Sequence, residues 1–148
     1  MTSVSVPEPF KVLDGYAECR LVGQVHLEQM VQMATSAIIL ARERRVSKLL
    51  LVIRELTGYA SPSISARYTF IKRWADAAQG VVCIAVVTRP ERIDPNKFGV
   101  TVAFNSGLAL DVFTDEEEAL AWLLSSQPAT KPKPRSEVPP TALAYPFL

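Results

Sequence analysis

The sequence predicts an α/β domain with a mixed, mostly parallel sheet of about five strands, an N-terminal hairpin and flanking helices. Two apolar runs, residues 49–53 and 81–87, lack any alternation of apolar and polar residues, as expected of strands buried on both faces. Segments with the three- and four-residue spacing of amphipathic helices separate the strands. Strands that alternate with helices favour right-handed crossovers and parallel pairing.

The first elements are predicted to be a hairpin and a long helix. Residues 10–13 form a strand, Asp14-Gly15 a type I′ turn with positive φ at both central positions, and residues 16–22 the returning strand, which Gly23 ends. A helix begins near His26 or Leu27, and the arginines of the run 42–45 favour the carboxyl end of its dipole. Its inward face is predicted from residues at helical spacing: Leu27, Met30, Val31, Ala34, Ala37, Ile38 and Ala41.

The middle of the chain predicts a strand, a loop and a second helix. The strand covers residues 49–53, and residues 54–60 form a loop that contains Gly58. Ser61-Pro62-Ser63 begins the helix, with serine as the N-cap and proline at the first helical position. Trp74 flanks the inner face, and Gly80 follows the helix end. That face is predicted to be Ile64, Tyr68, Ile71, Ala75 and Ala78.

The last part predicts a strand over residues 81–87, a polar loop over 88–95, a short helix over 96–106 closed by Gly107, and a strand over 108–113. Thr114 then caps a final helix, with Glu117 three residues on in a capping box. The acidic run 115–118 suits the positive end of the helix dipole, so we interpret it as a helix start and not as a metal site. The inward residues are predicted to be Ala119, Leu120 and Leu123.

Three regions are predicted: a flexible leader over residues 1–9, the domain over 10–126, and a tail over 127–148. The tail is rich in proline and cannot bury enough apolar surface to fold, so we interpret it as disordered. Its apolar end, residues 143–148, is predicted to dock on the domain or on a neighbour.

The composition argues against several classes of function. The 148 residues carry a net charge of +1, with 21% charged residues, and lack the concentrated basic surface of a nucleic-acid-binding protein. The apolar runs are too short for a transmembrane segment, and the first residues do not resemble a secretory signal. We therefore expect a cytoplasmic protein. Cys19 and Cys83 lie in apolar runs and are interpreted as reduced core thiols, with a disulfide as the lesser alternative.

The sequence predicts no catalytic residue, no metal site and no cofactor. His26 is the only histidine, and neither a nucleophile nor an orienting partner is placed beside it. The cysteines and histidine lack metal-ligand spacing, and the glycines form no phosphate-binding loop. The arginine-rich run 42–45 is interpreted as a solvated helix end.

Several segments resemble the STAS-type fold of sporulation anti-anti-sigma factors, and more closely the SpoIIAA-like proteins, which are grouped with lipid-binding Sec14 domains. They are Gly23 before the first helix, the run 49–54 leading into Leu56-Thr57-Gly58, Arg73-Trp74, and the closing run 112–123. The resemblance spans about residues 10–125 and implies a regulatory or binding module. The chain departs from it at Arg54-Glu55, where an acidic residue often follows the strand. It also lacks the Asp-Ser pair that carries the phosphorylated serine of STAS regulators.

The carboxyl ends of the predicted strands form the candidate ligand or partner surface, because ligands of open α/β sheets bind there. Arginines and helix amides at this edge would suit an anion. The main hypothesis is a non-catalytic interaction module with a protein partner or a second copy as ligand; the alternative is a carrier of a small apolar, lipid-like or anionic molecule. An enzyme ranks last. The surface comprises Arg54, Glu55, Thr57, Tyr59, Ser61, Ser63, Thr88, Arg89 and Arg92.

Overall fold

The computed structural model describes residues 10–126. The predicted leader and tail, and the predicted docking of residues 143–148, lie outside these residues. The strands are β1 (Phe10–Val12), β2 (Ala17–Gln24), β3 (Lys48–Thr57), β4 (Cys83–Val87) and β5 (Leu110–Phe113). The helices are α1 (Leu27–Glu43), α2 (Ile64–Ala78), α3 (Phe98–Asn105) and α4 (Glu116–Ser125), and a 3-10 turn covers Pro90–Arg92. Within residues 10–126, no helix combines the length and the apolar character that crossing a bilayer requires.

The five strands form one sheet in the order β1-β2-β3-β4-β5. β1 is antiparallel to β2, and the other neighbours are parallel. This confirms the predicted mixed, mostly parallel sheet with its N-terminal hairpin. Because spatial order follows chain order, right-handed crossovers bring α1, α2 and α3 to one face of the sheet. α4 packs on the opposite face.

The apolar run in β3 is buried on both faces, as predicted. Leu49, Leu51 and Ile53 face α1, α2 and α3, whereas Leu50 and Val52 face α4. Side chains that alternate between two buried faces explain why the run shows no polar alternation. The inward face of α1 is also confirmed, with six of the seven predicted residues buried and Leu27 partly buried.

The ends of β2 and β3 correct the sequence interpretation. β2 continues through Gly23 to Gln24, and β3 continues to Thr57, so residues 54–57 are strand and not loop. The two strands regain register after a bulge between Arg20 and Val22, and Gln24 then pairs with Thr57. Backbone hydrogen bonds between β2 and β3 stabilise this extension. Because backbone pairing does not depend on side-chain polarity, the pattern of apolar residues did not predict it.

The hairpin turn is confirmed, but its predicted type is wrong. Gly15 has a φ of 85°, whereas Asp14 does not adopt a positive φ. Type I′ requires a positive φ at both central positions, so the φ of Asp14 excludes it, while Leu13 N donates to Tyr16 O at 2.7 Å across the turn.

Two predicted helix caps are displaced along the chain. The N-cap of α2 is Ser63, not Ser61, and its Oγ accepts from Ala66 N at 3.1 Å. The N-cap of α4 is Asp115, not Thr114, and its carboxylate accepts from Glu118 N at 2.9 Å. β4, α3 and β5 each begin two residues later than predicted.

The inner face predicted for α2 is partly wrong. Ile64 and Tyr68 are each 51% exposed, whereas Trp74 is fully inside the core. Two stripes on this helix follow helical spacing, and the buried stripe contains the larger aromatic side chains, whose burial stabilises the fold more. The buried residues are Phe70, Ile71, Trp74, Ala77 and Ala78. Gly80, with a φ of 72°, follows the C-cap Gln79 as predicted.

Candidate functional site

The nine residues predicted as a ligand or partner surface lie at the carboxyl ends of β3 and β4 and at the start of α2, but the structure does not bring all nine together. Arg54 belongs to an ion-pair group next to α4, and Arg89 donates to the backbone of Arg54. Tyr59, Thr88 and Arg92 lie inward, beside a cavity. The exposed residues are Glu55, Thr57, Ser61 and Ser63.

Arg54 anchors α4 to the sheet. Its Nη1 donates to Thr114 O at 2.8 Å and its Nη2 to Glu116 Oε2 at 3.1 Å. Arg20 on β2 forms a bidentate pair with the same carboxylate, at 2.9 and 2.7 Å. Arg89 Nε donates to Arg54 O at 2.9 Å and fixes the strand behind this group. The Arg54 side chain is therefore engaged in holding α4.

The ion pairs change the proton affinity of Glu116. Hydrogen bonds from Arg20 lower the pKa of Glu116, and the charges of Arg20 and Arg54 act in the same direction against the opposing effect of burial. The same contact raises the pKa of Arg20. The carboxylate therefore stays charged to a lower pH than that of an unpaired glutamate.

Stability is expected to fall in acid through Glu116, and E116Q is expected to remove that contribution. A carboxylate whose pKa is lower in the folded state than in the unfolded state stabilises the protein at every pH above the unfolded pKa, about 4.3. This stabilisation is lost as the pH falls through the folded pKa. The expected size is about 1 kcal/mol, reduced by solvent because all three side chains are roughly one-third exposed. Urea unfolding from near-neutral to acidic pH measures the effect.

Glu118 supplies the matched control for this prediction, since it lies in the same helical turn and forms no ion pair within the described residues. The difference between E116Q and E118Q in the free energy of unfolding should shrink as the pH falls below about 4.3. A difference that stays constant with pH would contradict the assigned role of Glu116.

Arg92 is buried at the inward group, with 8% of its surface exposed. Its Nη2 donates to Leu56 O at 2.7 Å, and its Nη1 to Tyr59 Oη at 3.2 Å and Ile53 O at 3.5 Å. The guanidinium lies 4.2 Å from the centroid of the Tyr59 ring, a cation–π contact. Arg92 forms no ion pair with a carboxylate of residues 10–126. Burial raises the pKa of Tyr59, and the charge of Arg92 opposes that rise.

Arg67 on α2 connects the inward group to the exposed one. It donates to Pro62 O at 3.1 Å, to Ser61 Oγ at 2.8 Å and to Arg92 O at 3.0 Å. Burial lowers the pKa of Arg67, and the charge of Asp94 opposes that change. One guanidinium therefore joins an exposed hydroxyl to the turn that carries Arg92.

A cavity of about 60 Å³ lies beneath this group, between the sheet and helices α1, α2 and α3. Thr88 lines it and is 5% exposed, and its Oγ1 has no hydrogen-bond partner within residues 10–126. Tyr59, Arg67 and Arg92 also line it. The apolar wall includes Met30, Ile53, Phe70, Trp74, Val86 and Leu110.

The exposed group lies around the start of α2. Ser61 and Ser63 are exposed to solvent, as are Glu55 and Thr57 at the end of β3. Ile64 and Tyr68 follow on α2, four residues apart and thus on one face of the helix. Hydroxyl groups and large apolar side chains therefore share one surface.

Arg67, Ile64 and Tyr68 were not predicted from the sequence as site residues. Arg67 lies four residues after Ser63, so helical spacing could have placed it beside the α2 N-cap. Ile64 and Tyr68 follow helical spacing and were therefore assigned to the core. Their exposure is visible only once Phe70 and Trp74 are seen to fill the inner face.

The remaining residues considered for chemistry have structural roles. His26 precedes α1 as its N-cap, and its backbone N donates to Gln29 Oε1 at 3.0 Å. Arg42 departs from the predicted solvated helix end, since its Nη1 donates to Ala77 O. Within the part of the chain that the structure describes, no group of three His, Cys, Asp or Glu residues is arranged to hold a metal ion.

Cys19 and Cys83 are buried and free, which confirms their interpretation as core thiols. They belong to the cores on opposite faces of the sheet. Burial raises the pKa of Cys19 to about 12 and also raises that of Cys83, so both are thiols and weak nucleophiles near neutral pH.

Comparison with protein-family models finds a match. A protein-family model described as SpoIIAA-like matches residues 17–124, well over half of the chain. No curated protein and no solved structure matches the chain. The matched region begins with β2 and ends within α4, so it contains the parallel strands and the residues of the candidate site.

Proposed function

The chain belongs to the SpoIIAA-like family, and from this premise we propose that it is a non-catalytic regulatory module that binds a protein partner at the start of α2. The family points to a STAS-type regulatory or binding module, and domains of this kind commonly interact with proteins. The proposal adds the surface and the chemistry of the partner.

The pair Ile64 and Tyr68 carries the proposal. Each side chain is 51% exposed, and the two lie one turn apart beside the hydroxyls of Ser61 and Ser63. Large apolar side chains grouped at a surface and bordered by polar groups are typical of partner-binding sites. Tyrosine is enriched at the centres of such sites, because it buries a large area and keeps a polar end.

The charge of α2 indicates which partner this surface fits. Lys72 is the cation beside the apolar pair, whereas Arg67 turns to Ser61 and Arg92 O, and Arg73 pairs with Glu28 at 3.2 Å. Lys72 Nζ lies 6.0 Å from the Tyr68 ring centroid, so a cation borders the apolar pair directly. A partner segment with apolar side chains flanked by carboxylates complements this surface.

The double variant I64S/Y68S is expected to abolish partner binding and to leave the fold intact, because both side chains lie outside the core. Affinity purification from the native host with quantitative mass spectrometry should show one protein depleted at least about tenfold relative to wild type, which corresponds to about 1.4 kcal/mol. The purified pair should then show the same loss.

The matched control is V22S/L124S, which removes two apolar side chains that are 68% and 46% exposed elsewhere on the surface. It should retain the partner. Identical sets of bound proteins for wild type and I64S/Y68S would contradict the proposal.

Ser61→Glu tests a phosphate-like charge at the same surface: unchanged binding would exclude Ser61 as a switch and leave the apolar contact in place.

A further inference from the structure

The cavity contains a buried hydroxyl group without a protein partner. Thr88 Oγ1 has no hydrogen-bond partner within residues 10–126, although its backbone N donates to Phe113 O at 2.9 Å. Buried polar atoms in native proteins are nearly always hydrogen-bonded, and an unpaired one in a cavity points to a group that enters from outside the chain. That group either accepts from the hydroxyl or donates to it.

The charges around the cavity favour an anion. Four charged residues line it, and the single acid, Asp94, already accepts from Asn96 N and Phe98 N at 3.1 and 2.9 Å. Lys97 is paired with Asp111 at 2.9 Å. The remaining cations, Arg67 and Arg92, form no ion pair with a carboxylate of the described residues. A buried guanidinium bonded only to neutral oxygens favours an anionic ligand.

The apolar lining and the volume of the cavity limit which organic group can carry the anionic group. Most of the lining is aliphatic or aromatic, and the sheet side is formed by Ile53, Val86 and Leu110. A volume of about 60 Å³ corresponds to roughly four to six water-sized groups. This volume accommodates a short aliphatic chain.

We propose that this cavity binds a small aliphatic monocarboxylate, with its alkyl group against Val86 and Leu110 and its carboxylate on the Thr88 hydroxyl, within the field of Arg92. Thr88 donates the hydrogen bond that the chain leaves unused. This small-molecule site is separate from the protein-binding surface of the proposed function, and its test needs no partner protein.

Isobutyrate is the probe, titrated to about 10 mM into the purified full chain and followed by amide chemical shifts at constant ionic strength. Saturable shifts are expected at Val86, Thr88 and Gly99, which line the cavity. Isobutyramide, which has the same shape without the charge, should bind at least about tenfold more weakly. Absence of saturable shifts, or equal affinity for the amide, would overturn the proposal.

Thr88→Val removes the hydroxyl and keeps the branched shape, and it should weaken isobutyrate binding about tenfold. Its melting temperature without ligand should equal or exceed that of wild type, because the variant removes an unpartnered buried hydroxyl. Thr88→Ser should retain binding, and Thr69→Val, on the exposed side of α2, should change neither property. Affinity of T88V within twofold of wild type would show that the Thr88 hydroxyl does not hold the carboxylate and would overturn the proposal.

Discussion

Replacing Trp74 with alanine is expected to lower the free energy of unfolding by about 3 to 5 kcal/mol. Trp74 is 2% exposed, and its ring centroid lies 4.8 Å from that of Phe70 on the same helix. Its Nε1 donates to Val31 O at 3.4 Å, so the indole also joins α2 to α1. Truncation would remove the largest side chain of this layer and leave an enlarged cavity, since Trp74 also lines the existing one.

Trp122 is the matched control, because it also packs beside a phenylalanine, with Phe113 at 5.7 Å, but is only partly buried on α4. Trp122→Ala is expected to cost about 1 to 2 kcal/mol, in proportion to the smaller area that it buries. Urea unfolding followed by far-UV circular dichroism compares the two, since each variant removes one of the two tryptophans needed for fluorescence. Equal losses would contradict the expectation that the more deeply buried indole contributes more to stability.

The order of elements could be predicted from the sequence because burial leaves a direct trace in residue type. Residues 49–53 are buried on both faces of the sheet, and only apolar side chains satisfy both. The stripe on α1 is equally direct, since one helix face meets the sheet and the other meets water. Which side chains avoid water can therefore be predicted from residue type and spacing alone.

Element ends were less predictable because local groups compete for them. Ser61 and Ser63 both have N-cap chemistry, and the structure uses Ser63 while Ser61 accepts from Arg67. Thr114 and Asp115 compete in the same way at α4, where the carboxylate of Asp115 is the stronger acceptor for the amides of the first turn. Tertiary contacts decide between such neighbours.

The structure places the predicted surface residues at the carboxyl ends of β3 and β4 and at the start of α2, but the directions of their side chains were not predicted. Arg54 points to α4 because it has the same parity along β3 as Leu50 and Val52. The alternation of side chains along a strand predicts this direction only if β3 continues past Ile53, where the sequence predicted a loop. Thr88 is buried for the related reason that it directly follows the buried strand β4.

Arg92 is the clearest case of a residue whose role could not be read from its type, because arginine in a polar loop is ordinarily exposed. Its replacement by methionine is expected to lower the free energy of unfolding by about 2 to 4 kcal/mol. Methionine fills a similar volume but leaves the carbonyls of Leu56 and Ile53 and the Tyr59 hydroxyl without their donor. Urea unfolding near neutral pH measures the loss.

Two further variants separate the hydrogen bonds of Arg92 from its charge. Arg92→Lys keeps the charge but lacks the planar guanidinium that reaches three oxygens. We therefore expect Arg92→Lys to retain less than half of the stability that Arg92→Met loses. Arg89→Met removes a partly buried arginine with a single bond, to Arg54 O, and should cost about 0.5 to 1.5 kcal/mol. If R92K matched wild type, charge alone would account for the stability. A loss in R89M as large as in R92M would show that any arginine on the loop after β4 has the same effect. The expected ranking instead identifies Arg92 as the residue that holds the end of β3 over the cavity.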